Sequence, residues 1–363
     1  MDRALQPDSK RILWLDYAKC IAIFNIVMSH VFDQVFGYEM RSWILSFNVQ
    51  LFFIISGYFY KEQDSIKETV KKCFKHLLIP YFTFHFLLIV YHFGTQLILD
   101  PTFSNSLLDN LRNALMGILF GIKGIYPSAT NLNIPIWFLA ALFFCKILAQ
   151  PILRAKKHKN IIIPLTVVVS ILMTYLLSYQ KISTLPLYFN HAIMAIPFYI
   201  FGTYLKKINL DRINKRGIEL LITVVLFFIT IFLSKVSQSP SEQIHPYNFS
   251  FGHNILLFYI VGIISSFFGI FLARFLSHWN FRLLSYWGQN TLIILGVHYV
   301  MIKYLKMGES IILGNVFNLT SFNVYAMYIG NISISIIIMF LCIPIIYIIN
   351  KYFPFILGKF NNK

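Results

Sequence analysis

Residues 12–32 read ILWLDYAKCIAIFNIVMSHVF, an apolar run of about twenty residues, the length an α-helix needs to cross the hydrocarbon core of a bilayer. Three ionisable side chains interrupt it: Asp16, Lys19 and His30. Charge inside a bilayer is costly, so each is a functional candidate. Lys19 and His30 are eleven positions apart, which at 100° per residue returns them to one helix face, about 16 Å apart along the axis. Asp16 lies one turn before Lys19, where pairing lowers the cost of burying either charge. No small-residue cleavage site follows the run. It is therefore expected to be a retained span and not a signal peptide, with the N-terminus in the cytosol.

The rest of the chain repeats the pattern. Apolar runs lie at Trp43 to Tyr60, Leu77 to Leu99, Ile136 to Leu153, Ile161 to Ser178, His191 to Leu205, Gly217 to Ser234, His253 to Ala273, Trp287 to Leu305 and Tyr325 to Ile349. With the first run they make about ten transmembrane helices and little else, so residues 1–363 are expected to form one polytopic, all-α integral membrane domain. The balance of 57% hydrophobic to 12% charged residues among 363 is far from that of soluble proteins. The longest external connection, Asp100 to Pro135, holds a segment, Leu107 to Phe120, with apolar residues at helical spacing, which suits an interfacial or re-entrant lid.

The net charge of +17 would suggest nucleic acid in a soluble protein, but the basic residues sit in short clusters between apolar runs. Alternate connections hold roughly 22 Lys and Arg on one side against about 7 on the other, and the richer side is the cytoplasmic one. An even number of spans then puts both termini in the cytosol. Cys20, Cys73, Cys145 and Cys342 contain no CxxC pair, so neither disulfides nor a thiolate metal site is indicated. Walker and dinucleotide glycine patterns and internal repeats are absent, which leaves ATP-driven transport and nicotinamide chemistry without support.

His30 falls in the outer half of its span, and neutral imidazole is the usual group for taking a proton from a hydroxyl near pH 7. It is the candidate general base, with an interfacial, loop-bonded histidine as the bland alternative. Lys19 could instead snorkel to the cytosolic surface. Lys67, Lys71, Lys72 and Lys75 gather beside an expected helix start, where cations and free backbone N–H groups suit phosphate, or where lysines simply meet anionic lipid. Ser56 and Gly57 either permit close helix packing or bring a hydroxyl to an acyl path. Trp137 is an interfacial anchor or a wall on which a sugar ring packs. His298, with Asn290 two turns before it, is a second interior polar site or a satisfied core histidine. His85 and His92 share a face, but no acidic partner lies near them in sequence and no metal is expected.

Five strings occur in order: LDYAK (15–19) followed by His30, QLFFIISGYFYK (50–61), KKCFKHLLIPYF (71–82), PIWFLAALF (135–143) and GQNTLIILGVHY (288–299). Together they resemble the family-3 membrane acyltransferases, which include bacterial O-acetyltransferases of surface polysaccharides and lipopolysaccharide. The resemblance covers nearly the whole chain. It implies a ten-helix protein of the bacterial cytoplasmic membrane that moves an acetyl or other short acyl group from cytosolic acyl-CoA to a glycan or lipid-linked sugar hydroxyl on the far side. It implies no bound cofactor, with acetyl-CoA as co-substrate. His30 matches the family's essential first-span histidine and Lys19 the basic residue eleven before it. Lys72 and Lys75 match a basic pair spaced RxxR. Each is Lys here, so charge is kept while a bidentate grip on phosphate is lost, and Lys71 is equally well placed.

Two other classes compete. A transporter or exporter of a polysaccharide or small solute predicts repeat symmetry and interrupted helices. A glycan polymerase or ligase predicts a large polar external loop rich in Arg, whereas Asp100 to Pro135 holds only Arg112 and Lys123 as basic residues.

Overall fold

A computed structural model describes residues 12–32, 38–99, 107–120, 135–208, 210–213, 215–313 and 324–360. Among them lie fourteen α-helices and a two-stranded hairpin. α1 (Leu13–Val31), α2 (Tyr38–Leu45), α3 (Asn48–Tyr58), α4 (Ile66–Cys73), α5 (Ile79–Leu99), α6 (Leu107–Phe120) and α7 (Trp137–Leu153) come first. α8 (Lys159–Tyr179), α9 (Phe189–Leu205), α10 (Arg216–Ser237), α11 (Ile255–Leu276), α12 (Arg282–Gln289), α13 (Thr291–Leu313) and α14 (Val324–Tyr352) follow. The strands β1 (Ile244–His245) and β2 (Ser250–Phe251) pair antiparallel between α10 and α11.

Polarity is distributed inside out. α1, which carries Asp16, Lys19, Asn25, Ser29 and His30, packs against α3, α11, α12, α13 and α14, with most of its residues buried. Helices with broad apolar faces stand outside. α8 exposes Ile161, Leu165, Val168 and Leu172, and α10 exposes Leu221, Phe228 and Phe232. In water such faces would drive association, but against lipid tails they cost nothing, so this is an all-helical membrane bundle. Among the described residues five continuous helices are long and apolar enough to cross a membrane: Ile66–Leu99, Lys159–Tyr179, Arg216–Ser237, Ile255–Leu276 and Tyr328–Tyr352. Trp137–Leu153 and Thr291–Leu305 are shorter apolar helices.

Three of the expected spans differ. The run Trp43 to Tyr60 is two helices, because Ser46 turns its hydroxyl onto the Trp43 carbonyl at 2.6 Å and Phe47 leaves helical backbone at φ −148°, ψ −5°. The run Trp287 to Leu305 breaks at Asn290, whose amide donates to the Tyr286 carbonyl at 2.8 Å and whose Oδ1 accepts from Asn350 at 2.7 Å. The third run begins well before Leu77. A helix starts at Ile66, passes through a π-helical turn at Phe74–Leu78 and continues as α5. Pro80 lacks the N–H that would close an ordinary turn onto residue 76, and the widened turn accommodates it.

Contacts sort the helix ends into two groups. At the end holding Asp16, the Tyr17 hydroxyl donates to the Trp279 carbonyl (2.9 Å), Gln150 to the Asp64 carbonyl (2.7 Å) and Lys206 to the Tyr60 carbonyl (3.2 Å). Gly358 packs against the backbone of Lys75 at this end. At the end holding His30, Arg41 donates to the Ser29 carbonyl (3.3 Å), Gln238 to the Ser42 carbonyl (2.9 Å), and the His191 ring meets the Tyr247 carbonyl (3.2 Å). Successive long helices therefore run in alternate directions.

Candidate active site

His30 is half-buried in the last turn of α1 and lines a narrow cleft of about 60 Å³. The cleft brings together Ser29, Arg41, Asn48, Trp137, His245 and Tyr247 from four separate parts of the chain. Arg41 is buried, at 7% exposure, and held on both sides: Nε donates to the Ser29 carbonyl and Nη1 to Gln243 Oε1 at 3.0 Å. A guanidinium fixed beside an imidazole in a partly closed cleft is suited to binding negative charge or a polar hydroxylated ligand. Trp137 forms part of the wall. Its ring lies 4.9 Å from that of His191 and 6.0 Å from that of Tyr247, so the indole is held by other rings and is not a free interfacial anchor.

Behind His30 stands α13. The His30 and His298 ring centroids are 5.5 Å apart, and Tyr299 meets His30 edge-on at 5.8 Å. His298 is fully buried, its Nδ1 2.8 Å from the Ile294 carbonyl, and its Nε2 has no partner among the described residues. A carbonyl only accepts, so Nδ1 carries a proton, and in the neutral ring Nε2 carries a lone pair.

Lys19 lies at the opposite end of α1, paired with Asp16 at 2.9 Å and set over the Phe59 ring at 5.5 Å. It lines a second cavity of about 270 Å³ together with Ser56, His76, Leu139 and Thr291. Ser56 thus faces a cavity, while its neighbour Gly57 carries out the packing role. A Cβ on Gly57 would fall 2.0 Å from the Tyr199 carbonyl oxygen, and one on Gly202 would fall 2.0 Å from that of Ile54, so α3 and α9 cross backbone to backbone. Ile26 and Phe138 line both the Lys19 cavity and the His30 cleft.

The lysine cluster follows a helix start: α4 begins at Ile66, with Lys67 in its first turn, and is closed by a capping box in which Ser65 and Glu68 exchange side-chain and backbone bonds, while Lys71, Lys72 and Lys75 lie one to three turns further on. Lys71 and Lys72 are exposed on that helix. Lys72 bonds Asp64 at 2.8 Å, and Lys75 sits over the Phe360 ring at 5.5 Å. Lys71, Lys72 and Lys75 do not line the Lys19 cavity, whereas His76 does. In the neighbouring turn, the Lys159 ammonium holds the Glu62 carboxyl below the usual carboxylate range.

Asn290 is placed away from His298, at the Asp16 end, where it ties α12 to α14 through Asn350. His85 bonds the Tyr81 carbonyl of its own helix at 2.8 Å. Among the described residues no group of three or more His, Cys, Asp or Glu is placed to hold a metal, and all four cysteines are free and buried. Residues 100–106 and 121–134, including Lys123, lie outside the described part of the external connection.

Sequence reasoning missed Arg41 and the segment 243–247 that closes the cleft. It also missed a buried ion cluster in which Arg274 donates to Glu219 at 2.9 Å and to the Leu210 carbonyl at 3.0 Å while His278 meets the other Glu219 oxygen at 2.7 Å. Glu219 in an otherwise apolar run was the available signal, since a lone carboxylate there requires a partner.

No curated protein and no solved structure matches the chain. The model of acyltransferase family 3, described as an acyltransferase domain, matches residues 12–353, which takes in both cavities and every helix that lines them. With a histidine-lined cleft and a basic-end cavity set along one helix inside that match, the chain belongs to the family-3 acyltransferases.

Proposed function

We propose that this acyltransferase takes an acetyl or other short acyl group from cytoplasmic acyl-CoA and transfers it to a hydroxyl of an extracytoplasmic cell-surface glycan or lipid-linked sugar. One observation carries the reading: a cavity reached beside Lys19 and a cleft containing His30 lie in line along α1 and share the residues between them. The donor enters at the Lys19 end and the acceptor at the His30 end. The acceptor hydroxyl gives its proton to His30, its oxygen attacks the thioester carbonyl carbon, the C–S bond breaks, and the leaving thiolate takes the proton back from His30, which restores the neutral base. Arg41 stabilises the negative oxygen or a charged group on the sugar, and Trp137 offers a face to the ring.

Ten crossings with both termini in the cytosol, in the bacterial cytoplasmic membrane, suit this arrangement. The basic residues Lys61, Lys71, Arg154, Lys157, Lys207 and Lys215 all belong to the Asp16 end, as cytoplasmic lysines and arginines do. The breaks at Ser46–Phe47 and Asn290 are interrupted helices of the kind a transporter uses. The Asn290 break lies at the Asp16 end, whereas the Ser46–Phe47 break packs beside Ser265 and Phe268 in the middle of α11, so it is the family match over residues 12–353 that makes acyl transfer the better account.

The test is mass spectrometry of cell-surface glycans from cells with the native gene, without it, and with His30→Ala. The gene should add acetyl-sized mass and the variant should not. Equal acyl content in all three would remove the proposal.

A further inference from the structure

We propose that Ile26 and Phe138 form the partition that sets the size of the acyl group passed from the Lys19 cavity to the His30 cleft. This inference rests on the acyl-CoA reading above. The two side chains line both spaces, so the Lys19 cavity and the His30 cleft are divided by a single layer. Ile26 is 3% and Phe138 7% exposed.

The partition is braced from one side. The Phe138 ring lies 4.8 Å from that of Phe53, which is fully buried, and 5.6 Å from that of Phe52, which lines the Lys19 cavity. A ring wedged in this way has little room to turn. Along α1 the seven residues from Lys19 to Ile26 span about 10 Å, and the four from Ile26 to His30 about 6 Å. A thioester arm entering beside Lys19 therefore brings its acyl end against Ile26 and Phe138, with the acceptor hydroxyl at His30 immediately beyond.

A two-carbon group passes such a layer with a small displacement of the ring, whereas each further methylene must push Phe138 into Phe53. The same layer separates the thioester from water in the cleft. Water attacking the carbonyl carbon would break the C–S bond and yield a carboxylic acid and a free thiol, the water proton passing to the departing sulfur.

The experiment uses full-length protein in liposomes with acetyl-, butyryl-, hexanoyl- and octanoyl-CoA, reading acyl transfer to the surface glycan and thiol release without acceptor. Native protein should prefer the shortest chain. Phe138→Ala and Ile26→Ala should raise the longer-to-acetyl transfer ratio about tenfold or more and raise acceptor-free thiol release. Phe138→Leu is the milder change should the alanine variant fold poorly, and Phe138→Trp should restrict transfer further toward acetyl. An unchanged chain-length ratio in folded Phe138→Leu and Ile26→Ala overturns the inference while leaving the donor reading intact. If the native protein uses none of the four thioesters, the donor reading fails and this inference with it.

Discussion

The imidazoles of His30 and His298 stand 5.5 Å apart, inclined at 43°, although 268 residues of chain separate them. Because the Ile294 carbonyl holds a proton of His298 on Nδ1, the neutral ring presents a lone pair at Nε2, in a fully buried position. Replacing His30 with Ala should lower acyl transfer by about 10² to 10⁴, the usual contribution of one general base, with insertion and abundance unchanged. His298→Phe should lower kcat by a smaller factor and leave the acceptor KM near native. Wild-type kcat in both variants would remove the pair from the chemistry.

Glu219 should be the most destabilising single substitution at the basic end. Its carboxylate is 1% exposed and engages both Arg274 and His278, so Glu219→Ala leaves a buried guanidinium without its partner, at a cost of about 3 to 5 kcal/mol. The detergent-solubilised variant should show a lowered Tm. Joint replacement of Glu219 and Arg274 with Gln and Met should recover much of the loss, which a purely local charge effect would not give.

Gly57→Ala should separate packing from chemistry in the segment QLFFIISGYFYK (50–61). The new Cβ would meet backbone at 2.0 Å, so α3 and α9 must part, and folded yield by size-exclusion chromatography should fall. Ser56→Ala changes only a cavity-lining hydroxyl and should leave yield unchanged.

The helices were legible in the sequence because bilayer crossing demands runs of fixed length, and each expected run corresponds to helix. The breaks were not legible. Ser46 and Asn290 are single polar residues in apolar surroundings, and whether such a residue bonds its own helix or a neighbour depends on tertiary contacts, as the Asn290–Asn350 bond illustrates. Lys19 and His30 could be placed on one face because they share a helix. Arg41 and His298 reach His30 through folding alone, and Arg41 read as one more loop charge until its bonds to Ser29 and Gln243 showed it buried.

Cysteine labelling checks the sidedness on which donor and acceptor depend. Cysteines at Ser65 and Lys157 should react only from the cytosol, and one at Ser239, in the turn after α10, only from outside. The sequence reading expects the same of Thr102, which lies outside the described residues. Reversal at any described position would break the ten-crossing arrangement.

The final prediction separates the lysine on the cavity from the lysines on the surface helix. Lys19 lines the Lys19–His76 space, so its ammonium is available to a donor entering there, although part of its field is taken by Asp16 at 2.9 Å. Lys72 is already bonded to Asp64 and more than half exposed, where a single ion pair is worth little. If Lys72 and Lys75 hold phosphates of the donor from outside the cavity, Lys72→Gln with Lys75→Gln should raise the acyl-CoA KM while the acceptor KM stays put, each lost charge-assisted contact counting for about 1.5 to 3 kcal/mol. Arg at both positions should then restore or improve affinity through bidentate contacts. Lys19→Gln should raise the same KM and also lower kcat, because it leaves the Asp16 carboxylate beside the path of the thioester without its cation. Should the double variant insert correctly and bind acyl-CoA as the native protein does, those lysines serve orientation alone, and the donor's phosphates are held by Lys19 together with Lys71.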